Sequence, residues 1–557
     1  MPTLQFKGKN IIWNHHLSVP YHTIEEVSKL HFQPDKSNGN LIIEGDNLLA
    51  LKALLPLYAG KVKVVCIDPP YNTGNEGWAY NDKVNSPLIK EWLGKEVGKD
   101  DLTRHDKWLC MMTPRLRLLW DLLADDGAIC VNIDDNELHN LRNVMNEVFD
   151  EENFRNFIII RRGIKSVQAQ FDTVDRLNYG AEYVVIYTKN PNHRFKKIEL
   201  ELEQERQGGW NNHWRGTDRP TMRYDLFSII PKTGQWRWGK ERSLRAIENY
   251  KEMIWDLNKP EEEITQEEID NWYLKKLEET GEELDLLRLS STNKPEHYIP
   301  ISATKLASSL WSDLKPNGNN QLKQIFGKKV FENPKSIDLI KRLINFIEGD
   351  SKDVIILDSF SGSGTTGHAV MDLNKEDGGN RKFILVQMTE ATEKEPDKNI
   401  CKEITRERIK RAIEKYGYDS GFKYLRVGQP LDAETLLEGN LPEYKLFAKY
   451  IYYLCTGENL NPPSPPFSKG GKRGISKKDF FVGTFGKQAI YLIYQKDYEK
   501  LTKMALNLEI AEKIIAEQPN KKRIVYAPAC FLDEEYMEAN QIEFVSMPYN
   551  LFQRKIG

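Results

Sequence analysis

Cysteine is scarce in this chain: six in 557 residues, scattered, with no Cys-x-x-Cys pair. That usage excludes a disulfide-stapled scaffold and a zinc ribbon, so a reducing compartment and no bound metal are expected. Long apolar runs are missing too. A membrane-spanning helix needs roughly 20 consecutive apolar residues and none is present. The N-terminus also lacks a charged-then-apolar leader, so a soluble, cytoplasmic chain with no membrane partner is expected. No sign of charge dominates overall, since the formal net charge is -3, yet the charges are segregated along the chain. A phosphate loop of the Gly-x-x-x-x-Gly-Lys-Ser/Thr kind is absent. The length allows roughly three or four domains.

What is present is organised around residues 62–71, Val-Lys-Val-Val-Cys-Ile-Asp-Pro-Pro-Tyr. A β-branched, apolar strand ends at an acid followed by two prolines, which cannot extend a sheet ladder. Asp68 therefore sits at a strand's carboxyl end, the edge where an open α/β sheet binds ligands. A carboxylate accepts hydrogen bonds and donates none, the Pro69 carbonyl is a second acceptor, and the rings of Pro69 and Pro70 hold both stiffly. Two acceptors suit an exocyclic amine. Tyr71 offers a flat face for a planar base taken out of a helix. An amine conjugated to a ring is a weak nucleophile, so polarising its N–H bonds helps it attack a positioned methyl donor. Asp-Pro-Pro is also an ordinary way to leave a strand, and the tetrapeptide alone does not separate the two readings.

Residues 1–40 read as an irregular arm with a short helix near 24–30. Residues 40–55 read as a strand, a turn at Gly45-Asp46 and an amphipathic helix, with Asp46 either a cofactor contact or the helix N-cap. Residues 72–81 form a polar, aromatic stretch that fits a closing loop or a plain surface loop. Helical spacing over 108–123, strands at 128–133, 157–161 and 181–188, and a helix ending at Phe149 give the alternation of a mostly parallel sheet.

The character changes near residue 190. Residues 206–251 hold ten Lys/Arg against four acids, with Trp210, Trp214, Trp236 and Trp238 interleaved. Basic residues mixed with aromatics suit a nucleic-acid backbone and base edges, and Arg219, Arg223, Arg237 and Lys240 are the candidate contacts. A solvated face over core tryptophans has the same composition. Residues 256–285 carry twelve acids against three lysines and should face away from DNA. From Val354 the α/β pattern returns: a strand to Asp358, a glycine-bearing turn over 359–366, and a helix. Gly362 and Gly364 permit close backbone approach, and the helix amino end offers free N–H groups. The next strand ends at Gln387, where an acid for ribose hydroxyls is usual, with Glu390 close behind. Residues 461–474 are Pro/Gly-rich and basic, a linker by composition. A small α/β domain over 489–546 follows.

Asp68-Pro-Pro-Tyr71 and Phe360-Ser-Gly-Ser-Gly-Thr-Thr366, in that order around a basic, aromatic insert, resemble amino-group DNA methyltransferases of the permuted β class. Further motifs at 67–75, 105–108, 133–137, 219–224, 311–313 and 331–335 are similar to the modification subunits of Type III restriction-modification systems. The resemblance implies a doubly wound, mostly parallel α/β sheet of the S-adenosylmethionine-dependent methyltransferase type, with an inserted target-recognition domain and a small C-terminal α/β domain. It implies an arm and catalytic half over 1–190, recognition over 191–330, a cofactor half over 331–420, and a linker with a C-terminal domain over 421–557 for dimerisation or partner docking. It implies transfer from S-adenosylmethionine to adenine N6 of double-stranded DNA, with Asp68, Pro69, Pro70 and Tyr71 at the base. Asp358, Phe360, Gly362, Gly364, Thr365 and Gln387 would contact the cofactor, with Asp46 at its adenine side and Lys335 and Ser336 near its carboxylate. A homodimer and a separate restriction (helicase and nuclease) subunit are the expected partners. Cytosine N4 methylation, or a recognition subunit with secondary methylation, are the alternatives.

Overall fold

The computed structural model describes residues 3–73, 103–163, 177, 179–217, 219–391, 395–439, 441–460 and 480–547. Most of the stretch at 72–81 and the linker at 461–474 lie outside them. The chain divides into one unit made of residues 1–196 and 309–557 and another of 197–308.

The first unit is built on a ten-stranded sheet. Its strands are β1 (His22–Glu26), β2 (Leu41–Glu44), β3 (Val62–Ile67), β4 (Leu123–Ile133), β5 (Phe154–Arg161), β6 (Ala181–Thr188), β7 (Leu310–Trp311), β8 (Ile355–Asp358), β9 (Lys382–Gln387) and β10 (Lys423–Pro430). Their order is β1-β10-β2-β9-β8-β3-β4-β6-β5-β7. The run from β10 to β4 is parallel throughout, β1 is antiparallel to β10, β6 is antiparallel to both β4 and β5, and β7 pairs parallel with β5. The central strand β3 is buried at all six positions, as a parallel strand covered on both faces must be.

Val65 and Ile67 pack into one core with the helices Asn47–Tyr58 and Arg104–Leu122. The helix Ile337–Glu348 lies against β3 and β4 and also meets the helix Thr365–Asp377. The crossover after β3 leads to β4 on one side, and that after β8 leads to β9 on the other. β3 and β8 therefore flank a topological switch point, and Leu357 pairs with Val65 across it.

The arm differs from the sequence expectation. Residues 22–26 form an edge strand rather than a helix, with Ile24 opposite Val427, because pairing to a strand some 400 residues away outweighs local helical spacing. The C-terminal segment carries its own four-stranded sheet, which adds Phe481–Phe485 to the strands expected near 489, 523 and 542.

The unit at 197–308 has a three-stranded sheet, Leu287–Leu289, Pro295–Ile299 and Gly209–Asn212, with the helices Lys240–Leu257 and Gln266–Thr280. Tyr250, Met253, Trp272 and Tyr298 form its core. No helix among the described residues is long and apolar enough to cross a membrane.

Candidate active site

The turn after β3 is held from behind. Trp108 Nε1 donates to the Pro70 carbonyl at 2.7 Å, and Asn132 Nδ2 to the Ile67 carbonyl at 3.1 Å. Asn72 donates to the Arg104 carbonyl at 3.1 Å and to the buried Glu137, which His105 Nδ1 also meets at 2.6 Å. Asn132 thus fastens the amino side of Asp68-Pro-Pro-Tyr71, and Trp108, His105 and Glu137 from the motifs at 105–108 and 133–137 fasten its carboxyl side. The Pro69 carbonyl has no hydrogen-bond partner among the described residues, so it is open to a donor.

Asp68 Oδ1 is buried and accepts no hydrogen bond. Its neighbour is Lys335 Nζ at 3.4 Å, which also reaches Glu182 Oε2 at 2.7 Å and the Tyr71 hydroxyl. Arg162 closes the group with Nε 3.5 Å from Glu182. Burial raises the Asp68 carboxyl above its ordinary range, and Lys335 pulls it back toward the ionised form. Lys335 thus stands beside the acceptor pair, and it also borders the space that runs on to Asp358 and Phe360. A cavity of about 890 Å³ opens here, lined by Asp68, Pro69, Tyr71, Glu182, Lys335 and Ser336. Glu182 and Arg162 were not singled out from sequence. Glu182 reaches the site because β6 runs antiparallel to β4, which sets the first residues of β6 at the edge where the parallel strands end.

Across the switch point, Asp358 accepts from Phe360 N at 3.0 Å and Thr366 Oγ1 at 2.5 Å. No cation is among the groups acting on it, and burial pushes its carboxyl up to about 7. Gln387 is used internally: its Oε1 accepts from Gly362 N at 2.7 Å and its Nε2 donates to Glu390 at 2.9 Å. Glu390 and Gln387 both border a smaller space, together with Asp68 and Asp358. This space of about 180 Å³ runs from Asp68 past Phe360, Gly362, Thr365 and Asp358 to Glu390. A buried carboxyl with no cation, beside a second acid, fits a ligand that bears both a positive charge and hydroxyls.

Two glycine assignments need a different reason from the one sequence gave. Gly362 and Gly364 have φ of 47° and 79°, and a Cβ on them would meet Phe331 at 3.1 Å and Thr405 at 3.3 Å. The turn needs both for its left-handed backbone and its packing on protein, and Gly362 also borders the space beside Asp358. Arg408, fully buried, donates to Ser363 Oγ at 2.8 Å and Thr365 Oγ1 at 2.7 Å and so braces the loop. Asp46 caps the helix Asn47–Tyr58 through Leu48 N at 2.8 Å and pairs with Arg115 at 3.3 Å. It does not line either cavity, so the capping alternative describes its place here.

In the unit at 197–308, Arg219 and Lys240 are exposed, Arg237 is half-buried, and Arg223 Nε is tied to the Gly234 carbonyl at 2.8 Å. Burial lowers the Arg237 pKa, and repulsion from Arg215 adds to it. Trp236 is core and Trp214 is 41% exposed, so the tryptophans divide between the two readings. The acids of 256–285 are partly matched locally, as in Lys276 with Glu252 at 2.8 Å and Asp256 at 3.2 Å. Among the described residues no group of three or more His, Cys, Asp or Glu could hold a metal ion.

A switch-point crevice with a proline-stiffened acceptor pair on one strand and a buried acid and glycine turn on its neighbour defines a methyltransferase of the α/β class. The chain belongs to the DNA methylase family, whose model matches residues 62–415. It is 31% identical to the Type III restriction-modification enzyme EcoPI Mod subunit of Escherichia phage P1, over 77% of this chain and 72% of that one. To the EcoP15I Mod subunit of Escherichia coli it is 28% identical, over 94% of this chain and 86% of that one. Among solved structures it is similar to the PvuII DNA methyltransferase (cytosine-N4-specific), at 13% identity and a TM-score of 0.33, over 69% of this chain and 94% of that one. The chain is a DNA methyltransferase, and S-adenosylmethionine is its methyl donor.

Proposed function

We propose that the chain methylates N6 of a flipped adenine at a specific site in double-stranded DNA, in the cytoplasm, as the modification component of a restriction-modification system. The observation that carries this reading is the single space joining Asp68 to Asp358 and Phe360 across the switch point. Asp68 Oδ1 and the Pro69 carbonyl accept the two amine N–H bonds, which frees the nitrogen lone pair for in-line attack. Tyr71 stacks on the base. S-adenosylmethionine supplies, when bound, a methyl group on a sulfonium sulfur that an amine can attack directly. Asp358 holds its ammonium, Phe360 and Gly362 border it, and Glu390 takes the ribose hydroxyls in place of the uncharged Gln387. Catalysis is then positioning, with no covalent enzyme intermediate.

Within the unit at 197–308, Arg219, Arg223, Arg237 and Lys240 contact DNA. The designation of the relatives as Mod subunits supports a restriction-modification role, with a homodimer and a separate restriction subunit as partners and the C-terminal sheet as the docking element. The test is transfer of labelled methyl groups to duplex DNA, followed by base-resolved mapping of DNA from cells that express the chain. N6-methyladenine confined to one sequence is expected. N4-methylcytosine, or binding without transfer, would overturn the reading.

A further inference from the structure

Lys335 lies in the acceptor cavity within 3.4 Å of Asp68, and the reaction as described gives it no part. Its ammonium has three N–H bonds. One meets Glu182 Oε2 at 2.7 Å, one meets the Tyr71 hydroxyl, and the remaining one faces Asp68 at 3.4 Å, longer than an ordinary charge-assisted hydrogen bond. The side chain is 14% exposed and opens on the same cavity as Asp68, Pro69 and Tyr71. Burial lowers its charge affinity while Asp68 and Glu182 raise it, with a net rise, so it stays a donor.

A fixed acceptor beside a fixed donor is the complement of an amine beside a ring nitrogen. Adenine presents that pattern, with the N6 amine next to the N1 lone pair. Guanine and thymine present a carbonyl next to an N–H, which would set oxygen against the Asp68 carboxylate. Resting on the function proposed above, we infer that Lys335 donates a hydrogen bond to the ring nitrogen adjacent to the target amine, and that the Asp68/Lys335 pair reads the polarity of the base edge before transfer. Glu182 and Arg162 hold the ammonium in register, with Arg162 Nε 3.5 Å and Lys335 Nζ 2.7 Å from the Glu182 carboxylate. Cytosine shares this polarity, so the pair rejects carbonyl-bearing edges and leaves the choice between the two amines to the depth of the cavity.

The test uses a duplex with the mapped site in which the target adenine is replaced by 1-deazaadenine, a C–H standing where N1 was. Loss of the electron-withdrawing nitrogen makes the amine more nucleophilic and weakens base pairing, so both intrinsic effects would speed transfer. A slower reaction therefore reports a lost contact. For wild type, the analogue is expected to lower kcat/KM by about tenfold to hundredfold, the range of a hydrogen bond to a charged group. Lys335→Met should lose a similar factor on ordinary adenine, lose no more than about twofold further on the analogue, and bind S-adenosylmethionine as wild type does.

Wild-type indifference to the analogue would overturn the inference, and needs no variant to show it. So would a Lys335→Met enzyme as sensitive to the analogue as wild type, or one whose whole defect is weaker donor binding, which would return Lys335 to the cofactor side. Lys335→Leu, which likewise carries no donor, takes the place of Lys335→Met if the latter does not fold. Failure of wild type to methylate the ordinary duplex would instead overturn the proposed function.

Discussion

Replacing Asp68 with alanine separates chemistry from folding. The substitution removes the buried Oδ1 that has no hydrogen-bond partner in the free protein and that the proposed reaction reserves for the amine. An electrostatic contact made as charge develops is worth about 2.7–4 kcal/mol in a water-poor site, or roughly 10²- to 10³-fold in kcat. Lys335 is not orphaned by the change, because Glu182 still holds it at 2.7 Å. Burial raises the Asp68 carboxyl, so its ionised form works against folding, and thermal stability should stay within about 1 kcal/mol of wild type or rise. Donor affinity should hold, since Asp358 and Glu390 are untouched. Transfer of labelled methyl groups, equilibrium dialysis with S-adenosylmethionine and a melting curve measure the three quantities. Turnover within tenfold of wild type would refute the reasoning, and so would a loss of activity explained by unfolding.

Four further outcomes are expected. Since only ionised Asp68 polarises the amine, activity falls as pH drops through its folded pKa; Lys335 holds that pKa down, so Lys335→Met should move the acid limb of kcat/KM to higher pH. Gly364→Val forces a side chain into a left-handed backbone and against Thr405 at 3.3 Å, which should destabilise the loop by about 1–2 kcal/mol and weaken donor binding, read by melting and dialysis together. Arg381→Met strips the buried Glu348 of its cation and should lower stability by about 3–5 kcal/mol. Arg381 also holds the folded Asp377 carboxyl below its ordinary value, so that contribution is present above the unfolded pKa and fades as pH falls from about 4. Neutralising Arg219 or Lys240 should lower the salt slope of DNA binding by about one per phosphate contact, whereas a base-reading residue among Arg223 and Arg237 should instead relax the site at about 1–3 kcal/mol; four variants with unaltered slope and site would move recognition elsewhere.

The strand ends were legible because they are written in runs. Residues 62–67, apolar but for Lys63, and 354–357 are short apolar segments that stop at an acid, as parallel strands buried on both faces do. Residues 22–26 were not legible, since an edge strand carries no such run and its identity comes from a partner near residue 427. Gln387 was legible as a departure from the usual acid, but not as the strut that carries Glu390 into the cavity, because that depends on a backbone N–H at Gly362 25 positions away.

The polar core of the site was the least legible part, and the reason is topological. Lys335, Glu182 and Arg162 come from the approach to a helix, the start of β6 and the exit of β5. Lys335 was legible as part of the 331–335 motif, whereas Glu182 and Arg162 look like ordinary surface residues in their own stretches. They converge because β6 and β5 form an antiparallel hairpin on a parallel sheet, so Glu182 sits opposite Ile160 and one residue beyond the Tyr183/Ile133 pair, level with the parallel strands' ends. A reading that assumes parallel strands looks for function only at strand carboxyl ends and passes over an acid near the amino end of β6. A strand reversed at the edge of the parallel run presents its beginning to the active site, and the polar residues there deserve the same scrutiny as those at the ends of β3 and β8.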